Sequence, residues 1–122
     1  MPEIGIGIVG GGYMGKAHAV AMSAVGAVFN TVLRPRLEMV CATSPESAER
    51  YRVAYGFQRA TDDWRILVED PRVEAIVIAS PQATHRAVAE AAFKLGKPVF
   101  CEKPLGASLE DSRKMVAAAE ES

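Results

Sequence analysis

Three glycines near the N-terminus have the spacing of a phosphate-binding turn. Residues 10–15 read Gly-Gly-Gly-Tyr-Met-Gly, which places Gly10, Gly12 and Gly15 in a G-x-G-x-x-G pattern. In that pattern the first glycine permits a tight turn, the second lets the backbone approach a pyrophosphate, and the third lets a helix pack closely on a strand. The N–H groups and dipole at the start of the helix favour an anionic ligand. The spacing predicts a dinucleotide site, with an ordinary glycine-rich loop as the alternative.

The residues on either side of the glycines have the composition that such a site requires. Residues 4–9 are apolar and β-branched, which predicts a strand, and residues 14–27 are rich in alanine and methionine, which predicts a helix. Gly11, Tyr13 and Met14 lie inside this strand–turn–helix unit and are therefore candidate cofactor-binding residues as well. Tyr13 could line the pyrophosphate or nicotinamide pocket, or it could be an ordinary half-buried aromatic residue.

Strands and helices are predicted to alternate along the rest of the chain. The remaining strands are predicted at 37–42, 57–61 (a short edge strand), 73–79 and 98–101, and the remaining helices at 45–55, shortly after Asp62 or Asp63, at 84–95 and from 109 to the C-terminus. Short apolar strands separated by helices imply a parallel sheet covered on both faces. Right-handed crossovers then predict a doubly wound α/β fold with strand order 3-2-1-4-5 and a ligand at the carboxyl ends of strands one and four.

The end of the second strand carries no acidic residue. NAD enzymes usually place Asp or Glu there to bind the ribose hydroxyls, but this chain reads Ala42-Thr43-Ser44, with Glu46 as the first acid and Arg50 as the nearest arginine. Without a carboxylate nothing repels a 2′-phosphate, and the hydroxyls of Thr43 and Ser44 could bind a phosphate or a ribose. Ser44 also suits a helix cap. The sequence slightly favours NADP, or the use of both cofactors.

The two histidines are weaker candidates than the loops around them. Residues 80–85 read Ser-Pro-Gln-Ala-Thr-His and follow the fourth strand, so this loop is expected to face the cofactor. His85 taken alone is more typical of a structural histidine in the first turn of a helix. His18 follows the glycine turn by one helical turn, and a packing or capping role is expected for it.

A Glu-Lys pair follows the fifth strand. Glu102 and Lys103 precede Pro104, which pins the turn, so the strand end points a charged amine toward the predicted crevice. Most lysines are solvated surface groups. Lys103 differs from them only in its position, directly after the end of a predicted strand.

Taken together and in this order, residues 10–18, 80–85 and 102–104 resemble the glucose–fructose oxidoreductase and inositol dehydrogenase (Gfo/Idh/MocA) family. The similarity extends over essentially the whole chain. The resemblance implies an NAD(P)-dependent dehydrogenase that acts on a sugar, cyclitol or related polyol. It also implies that Lys103 is the active-site lysine, which stabilises a developing alkoxide, and that Glu102 contacts the cofactor.

The resemblance assigns the nucleotide-side loop to the residues that follow the fourth strand. These residues are Ser80, Pro81, Gln82 and His85. Gln82 replaces the more usual Asn, and Ala42 stands where many relatives carry an acid.

Members of this family have a second α/β domain that supplies most of the substrate pocket and the usual oligomer interface. Residues 1–122 are expected to be the cofactor-binding domain only, from a protein that is a homo-oligomer at full length. An excised domain would expose apolar surface at one sheet edge and on its last helix. Two alternatives are a non-catalytic nucleotide-binding or sensing module, and a Rossmann-like domain for coenzyme A or a methyl donor.

Composition limits the possible partners. A chain of 122 residues with 49% apolar residues is one domain with a real core, and its formal net charge of −1 indicates neither a nucleic-acid nor an anionic-membrane partner. No apolar run could span a bilayer, and there is no secretory signal, so a cytoplasmic location is expected. Cys41 and Cys101 are predicted about 14 Å apart, too far for a disulfide. No metal site is indicated.

Overall fold

Five parallel strands form the central sheet of the computed structural model, which describes residues 2–122. They lie in the order β3-β2-β1-β4-β5, which confirms the predicted topology. The strands are β1 (Glu3–Val9), β2 (Arg34–Cys41), β3 (Arg59–Thr61), β4 (Ala75–Ile78) and β5 (Val99–Cys101). The strand order reverses direction between β1 and β4, so a crevice is expected at their carboxyl ends.

Helices cover both faces of the sheet. They are α1 (Tyr13–Val28), α2 (Pro45–Tyr55), α3 (Trp64–Glu69), α4 (His85–Lys94) and α5 (Leu109–Glu121), with a short 3-10 turn at Gln82–Thr84. One apolar cluster joins Ala19 of α1 to Ile8 and Val40 of the sheet. The other joins Val88 of α4 to Ile78. Because alternate strand residues point to opposite faces, near-continuous apolar strands can bury both sides of the sheet.

Local capping chemistry sets several helix ends where the sequence predicts them. The Ser44 hydroxyl accepts a hydrogen bond from the Ser47 N–H at 3.1 Å, and the Ser108 hydroxyl accepts one from the Asp111 N–H at 3.1 Å. Gly56 ends α2 with a φ of 83°, a conformation that glycine adopts without steric cost. These caps satisfy backbone groups that the helix itself leaves unpaired.

The basic residues Arg34 and Arg36 beside Pro35 predict a solvated loop, but the structure shows that this segment is the beginning of β2. Pro35 pairs with Ile4 of β1 on one side, whereas β3 pairs with β2 only from Met39 onward. On that other side the missing proline N–H interrupts no ladder, so a proline is tolerated in the strand. Leu95 is a second correction. The pattern of apolar residues predicts it on one face of the helix at 84–95, but α4 ends at Lys94 and Leu95 is exposed.

An ionic network lies away from the carboxyl ends of the strands. The buried Glu38 carboxylate of β2 accepts hydrogen bonds from Arg36 and Arg59, each at 2.8 Å. Arg59 also makes a two-point contact with Asp70, at 2.7 and 2.8 Å. The hydrogen bond from Arg59 lowers the pKa of Asp70 to about 2. The network links the starts of β2 and β3 to the end of α3.

Apolar surface is exposed at the sheet edge and on the last helix, as predicted. Phe100 on the edge strand β5 is 59% exposed, and Leu109 and Val116 of α5 are also exposed. None of the helices in residues 2–122 has the length and apolar character needed to cross a membrane.

Candidate functional site

An open groove of about 590 Å³ lies at the carboxyl ends of β1, β2 and β4. Its volume is in the usual range for a small-molecule or cofactor site. The predicted candidates that line it are Gly10, Gly11, Gly12, Thr43, Ser80 and Pro81. The other wall residues that sequence reasoning missed include Ser47, Tyr51, Asp62, Trp64 and Thr84. Glycine spacing and strand ends therefore locate the groove, but side chains from α2 and from the end of β3 complete it.

The three fingerprint glycines have different structural requirements. Gly10 has a φ of +105°, and a Cβ there would lie 2.7 Å from the Ala79 carbonyl group. A Cβ on Gly15 would lie 2.0 Å from the Gly10 oxygen. At Gly12 an added Cβ meets no atom within 4 Å. The fold thus requires Gly10 and Gly15, whereas only the approach of a ligand gives a reason for glycine at Gly12.

The first turn of α1 offers unpaired N–H groups to an anion. Gly12 occupies the N-cap position and supplies no side-chain cap, and the first turn holds no acidic residue. The first four N–H groups of a helix have no partner inside the helix. An open glycine backbone at a helix N-terminus is the donor set that a pyrophosphate needs, so this part of the chain fits a dinucleotide.

Two tyrosines of α2 hold the glycine turn in place. The Tyr55 hydroxyl donates a hydrogen bond to the Gly11 carbonyl oxygen at 2.8 Å. The Tyr51 ring lies so close to Gly11 that a Cβ there would be 2.1 Å from a ring carbon. The two rings stack with centroids 5.4 Å apart. Their spacing of four residues on one helix was the only sequence signal of this contact.

The end of β2 is arranged differently from what the sequence alone indicates. Thr43 lines the groove, whereas the Ser44 oxygen already accepts the capping bond of α2 and does not line it. A hydroxyl that accepts one hydrogen bond can still donate its own. An acidic residue does line the groove, but it is Asp62, directly after β3. The Arg50 guanidinium lies 5.3 Å from the centre of the Tyr51 ring at the same groove.

His85 is a buried positioning residue in this structure and does not line the groove. Its side chain is 1% exposed, and its Nε2 lies 2.9 Å from the Ser80 carbonyl oxygen. Its Nδ1 lies 3.0 Å from the carbonyl oxygens of both Pro104 and Leu105. The ring therefore joins the loop after β4 to the loop after β5, as expected of a structural histidine.

The Glu-Lys pair leaves the sheet at the end of β5, as predicted. The Glu102 N–H donates to the Ile78 carbonyl oxygen at 2.9 Å, which fixes the backbone against β4. The Lys103 side chain is exposed, and among residues 2–122 its amine has no hydrogen-bond partner. Glu102 instead contacts His18, whose Nε2 lies 2.6 Å from a carboxylate oxygen. This hydrogen bond lowers the pKa of Glu102.

The other sequence candidates are not groove-lining residues. Tyr13 is 89% exposed at the start of α1, and Met14 is also exposed. Gln82 lies exposed in the 3-10 turn that precedes α4. Their assignment to cofactor binding stays a prediction. Neither cysteine forms a disulfide; Cys41 is buried and Cys101 is half-buried, and burial raises the pKa of each thiol to about 11.

Residues 4–122 match the GFO_IDH_MocA family, described as an oxidoreductase family with an NAD-binding Rossmann fold. The chain belongs to this family. Levoglucosan dehydrogenase of Pseudarthrobacter phenanthrenivorans is 36% identical over 119 residues, which are 97% of this chain and 30% of that protein. Inositol 2-dehydrogenase of Acidothermus cellulolyticus is 34% identical over 117 residues, which are 95% of this chain and 32% of that protein.

Solved structures agree with this membership. A levoglucosan dehydrogenase in complex with NADH superposes with a TM-score of 0.96 at 35% identity, covering 98% of this chain and 33% of that one. An NAD binding oxidoreductase from Klebsiella pneumoniae superposes with a TM-score of 0.94 at 37% identity, covering 98% of this chain and 32% of that one. The chain thus spans about a third of the length of these relatives.

Proposed function

We propose that this chain is the cofactor-binding part of an NAD(P)-dependent oxidoreductase that transfers hydride between the nicotinamide and a sugar, cyclitol or related polyol. The observation that carries the proposal is the open Gly12 backbone at the uncapped start of α1, in a chain that also presents a Lys103 amine without a partner in residues 2–122. The related levoglucosan and inositol dehydrogenases support the substrate class.

The roles of the residues follow from their positions. The backbone at Gly10, Gly11 and Gly12 would hold the pyrophosphate, and Ser80 and Pro81 would contact the nucleotide from the other side of the groove. When bound, the cofactor supplies the hydride acceptor or donor. The Lys103 amine would donate a hydrogen bond to the substrate oxygen and stabilise negative charge as it develops there.

The proposal also gives roles to the other candidate residues. Glu102 would contact the cofactor next to Lys103, and Tyr13, Met14, Gly15, Gln82 and His85 would shape the site from its edges. The full-length protein would be a homo-oligomer in the cytoplasm, with a second domain that selects the substrate.

Both NADP and NAD are proposed as cofactors, with a slight preference for NADP. Thr43 and the free O–H of Ser44 provide hydroxyls at the end of β2, where no carboxylate follows the strand. Asp62 limits this preference, because it lines the same groove and its negative charge would oppose a 2′-phosphate. Titration of the protein with NADPH and with NADH, followed by cofactor fluorescence, tests the choice. Asp62→Asn is expected to tighten NADPH more than NADH, and an equal effect on both would contradict this role for Asp62.

The catalytic assignment is tested by Lys103→Ala in the full-length protein. We expect turnover with inositol or levoglucosan to fall by at least about 100-fold, while the dissociation constant for the cofactor stays nearly unchanged. Lys94→Ala is the matched control, because Lys94 is an exposed lysine on α4. Unchanged turnover in Lys103→Ala would exclude the proposed role. Tight cofactor binding without turnover of any polyol would instead favour a nucleotide-sensing module.

A further inference from the structure

The contact between His18 of α1 and Glu102 is a strong polar interaction that the proposed function does not use. It joins residues 84 positions apart, with an imidazole nitrogen 2.6 Å from a carboxylate oxygen. The His18 and Glu102 side chains are only 15% and 18% exposed, so both are largely shielded from water. A shielded carboxylate needs a hydrogen-bond partner, and His18 provides it.

His18 itself is fixed from two directions. It belongs to α1, whose first turn packs so closely on the glycine turn that Gly15 has no room for a Cβ. Its ring also meets the Phe100 ring of β5 edge-on, with centroids 5.1 Å apart. The imidazole is therefore a rigid donor, positioned by the same helix that starts at the proposed pyrophosphate site.

Glu102 has a second possible partner in its immediate neighbour. The positive charge and the backbone N–H of Lys103 both act on the Glu102 carboxylate, in addition to the hydrogen bond from His18. The structure shows the carboxylate held by His18, while the Lys103 amine makes no ion pair within the described chain. If His18 were removed, an unpaired and partly buried carboxylate would lie beside a free ammonium group, and the two would be drawn together.

We infer that His18 is a positioning residue that holds the Glu102 carboxylate away from the Lys103 amine, so that this amine stays free for the substrate oxygen. The consequence for turnover rests on the proposed function, whereas the effect on the amine does not. His18 thereby connects α1 to the Glu-Lys pair that follows β5.

Competitive labelling of lysines with acetic anhydride, read out residue by residue by mass spectrometry, measures how free each amine is. In His18→Phe, which keeps an aromatic ring next to Phe100 but removes the donor, we expect the labelling rate of Lys103 to fall about two- to fivefold, as for a partly exposed ion pair. Lys94 in the same sample is the internal reference and should not change. In His18→Gln, whose amide can donate from about the position of Nε2, Lys103 should be labelled at the parent rate.

The double variant His18→Phe with Glu102→Gln shows whether the fall in Lys103 labelling comes from the Glu102 carboxylate or from a general loosening of the loop after β5. Without a carboxylate to capture the amine, Lys103 labelling should return to the parent rate. Equal labelling of Lys103 in the parent and in His18→Phe would overturn the inference, as would a double variant that stays as low as His18→Phe. If His18→Phe fails to fold, His18→Asn takes its place with the same expected fall, since its shorter amide cannot reach Glu102.

Kinetics of the full-length protein give the second readout. His18→Phe should lower kcat about two- to fivefold, and His18→Gln should restore it. A parent protein that does not bind NADH would contradict the proposed function and leave the labelling result to decide the role of His18. A parent that binds NADH, with identical labelling in all His18 variants, would contradict the role of His18 alone.

Discussion

Gly12→Ala is expected to weaken cofactor binding strongly while leaving the fold almost as stable as the parent. The added Cβ meets no atom within 4 Å, and Gly12 already has a φ of −72°, which any residue adopts. Alanine at this N-cap position should change the free energy of unfolding by less than about 1 kcal/mol. The melting temperature should therefore move by less than about 4 °C.

The binding loss comes from the space that the new methyl group fills. Gly12 lines the open groove at the uncapped start of α1, where the backbone must come close to a pyrophosphate. If the methyl group prevents one charge-assisted hydrogen bond, the loss is about 1.5–3 kcal/mol. That range corresponds to a dissociation constant about 10- to 150-fold higher.

The assay combines NADH fluorescence titration with thermal unfolding followed by circular dichroism. Gly15→Ala is the matched comparison, because its Cβ would lie 2.0 Å from the Gly10 oxygen and must displace backbone. It should lose about 1–3 kcal/mol of stability, whereas Gly12→Ala should lose binding without losing stability. Parent-like NADH affinity in Gly12→Ala would refute the assignment of this turn to the pyrophosphate.

Three further outcomes follow from the structure. Asp70 has a folded pKa of about 2, below its usual value of 3.8. Its stabilising contribution is therefore complete above about pH 4 and is lost as the pH falls toward 2. In Asp70→Asn the free energy of unfolding should no longer fall between pH 4 and pH 2 because of this group, and an acid-unfolding profile identical to that of the parent would contradict the prediction. Tyr55→Phe removes the hydrogen bond to the Gly11 carbonyl oxygen and should lower the free energy of unfolding by about 0.5–1.5 kcal/mol. It should also weaken NADH binding, and calorimetry measures both quantities. Parent values for both would show that the hydroxyl does not hold the turn. Burial raises the pKa of the Cys41 and Cys101 thiols to about 11. Iodoacetamide should therefore modify them slowly at pH 8 in the native protein and quickly after unfolding. Rapid modification of the native protein would contradict this burial.

The sequence alone predicted the topology because each of its signals is local. Apolar strands, the hydroxyl cap at Ser44, the left-handed glycine at Gly56 and the hydroxyl cap at Ser108 each act within a few residues. Once the elements alternate, right-handed crossovers leave few arrangements of the sheet. The groove at the end of β1 follows from that topology and from the glycine spacing.

Predictions failed where burial or a neighbouring strand decides the outcome. The small basic spot of Arg34 and Arg36 beside Pro35 predicts a solvated loop. Arg34 instead begins β2, which tolerates Pro35 because β3 pairs with β2 only from Met39 onward. Asp62 was not a site candidate because the sequence does not show that the end of β3 reaches the wall of the groove.

The family, the parallel sheet and the strand ends that form the groove can be predicted from the sequence, because they depend on spacing and on short-range caps. Which side chains meet at those strand ends depends on tertiary contacts. The Gly11 carbonyl meets a tyrosine 44 residues away, and His18 meets Glu102 at a separation of 84. Such contacts depend on the sheet order and on the rotation of each helix about its axis, and no local pattern in the chain encodes that rotation.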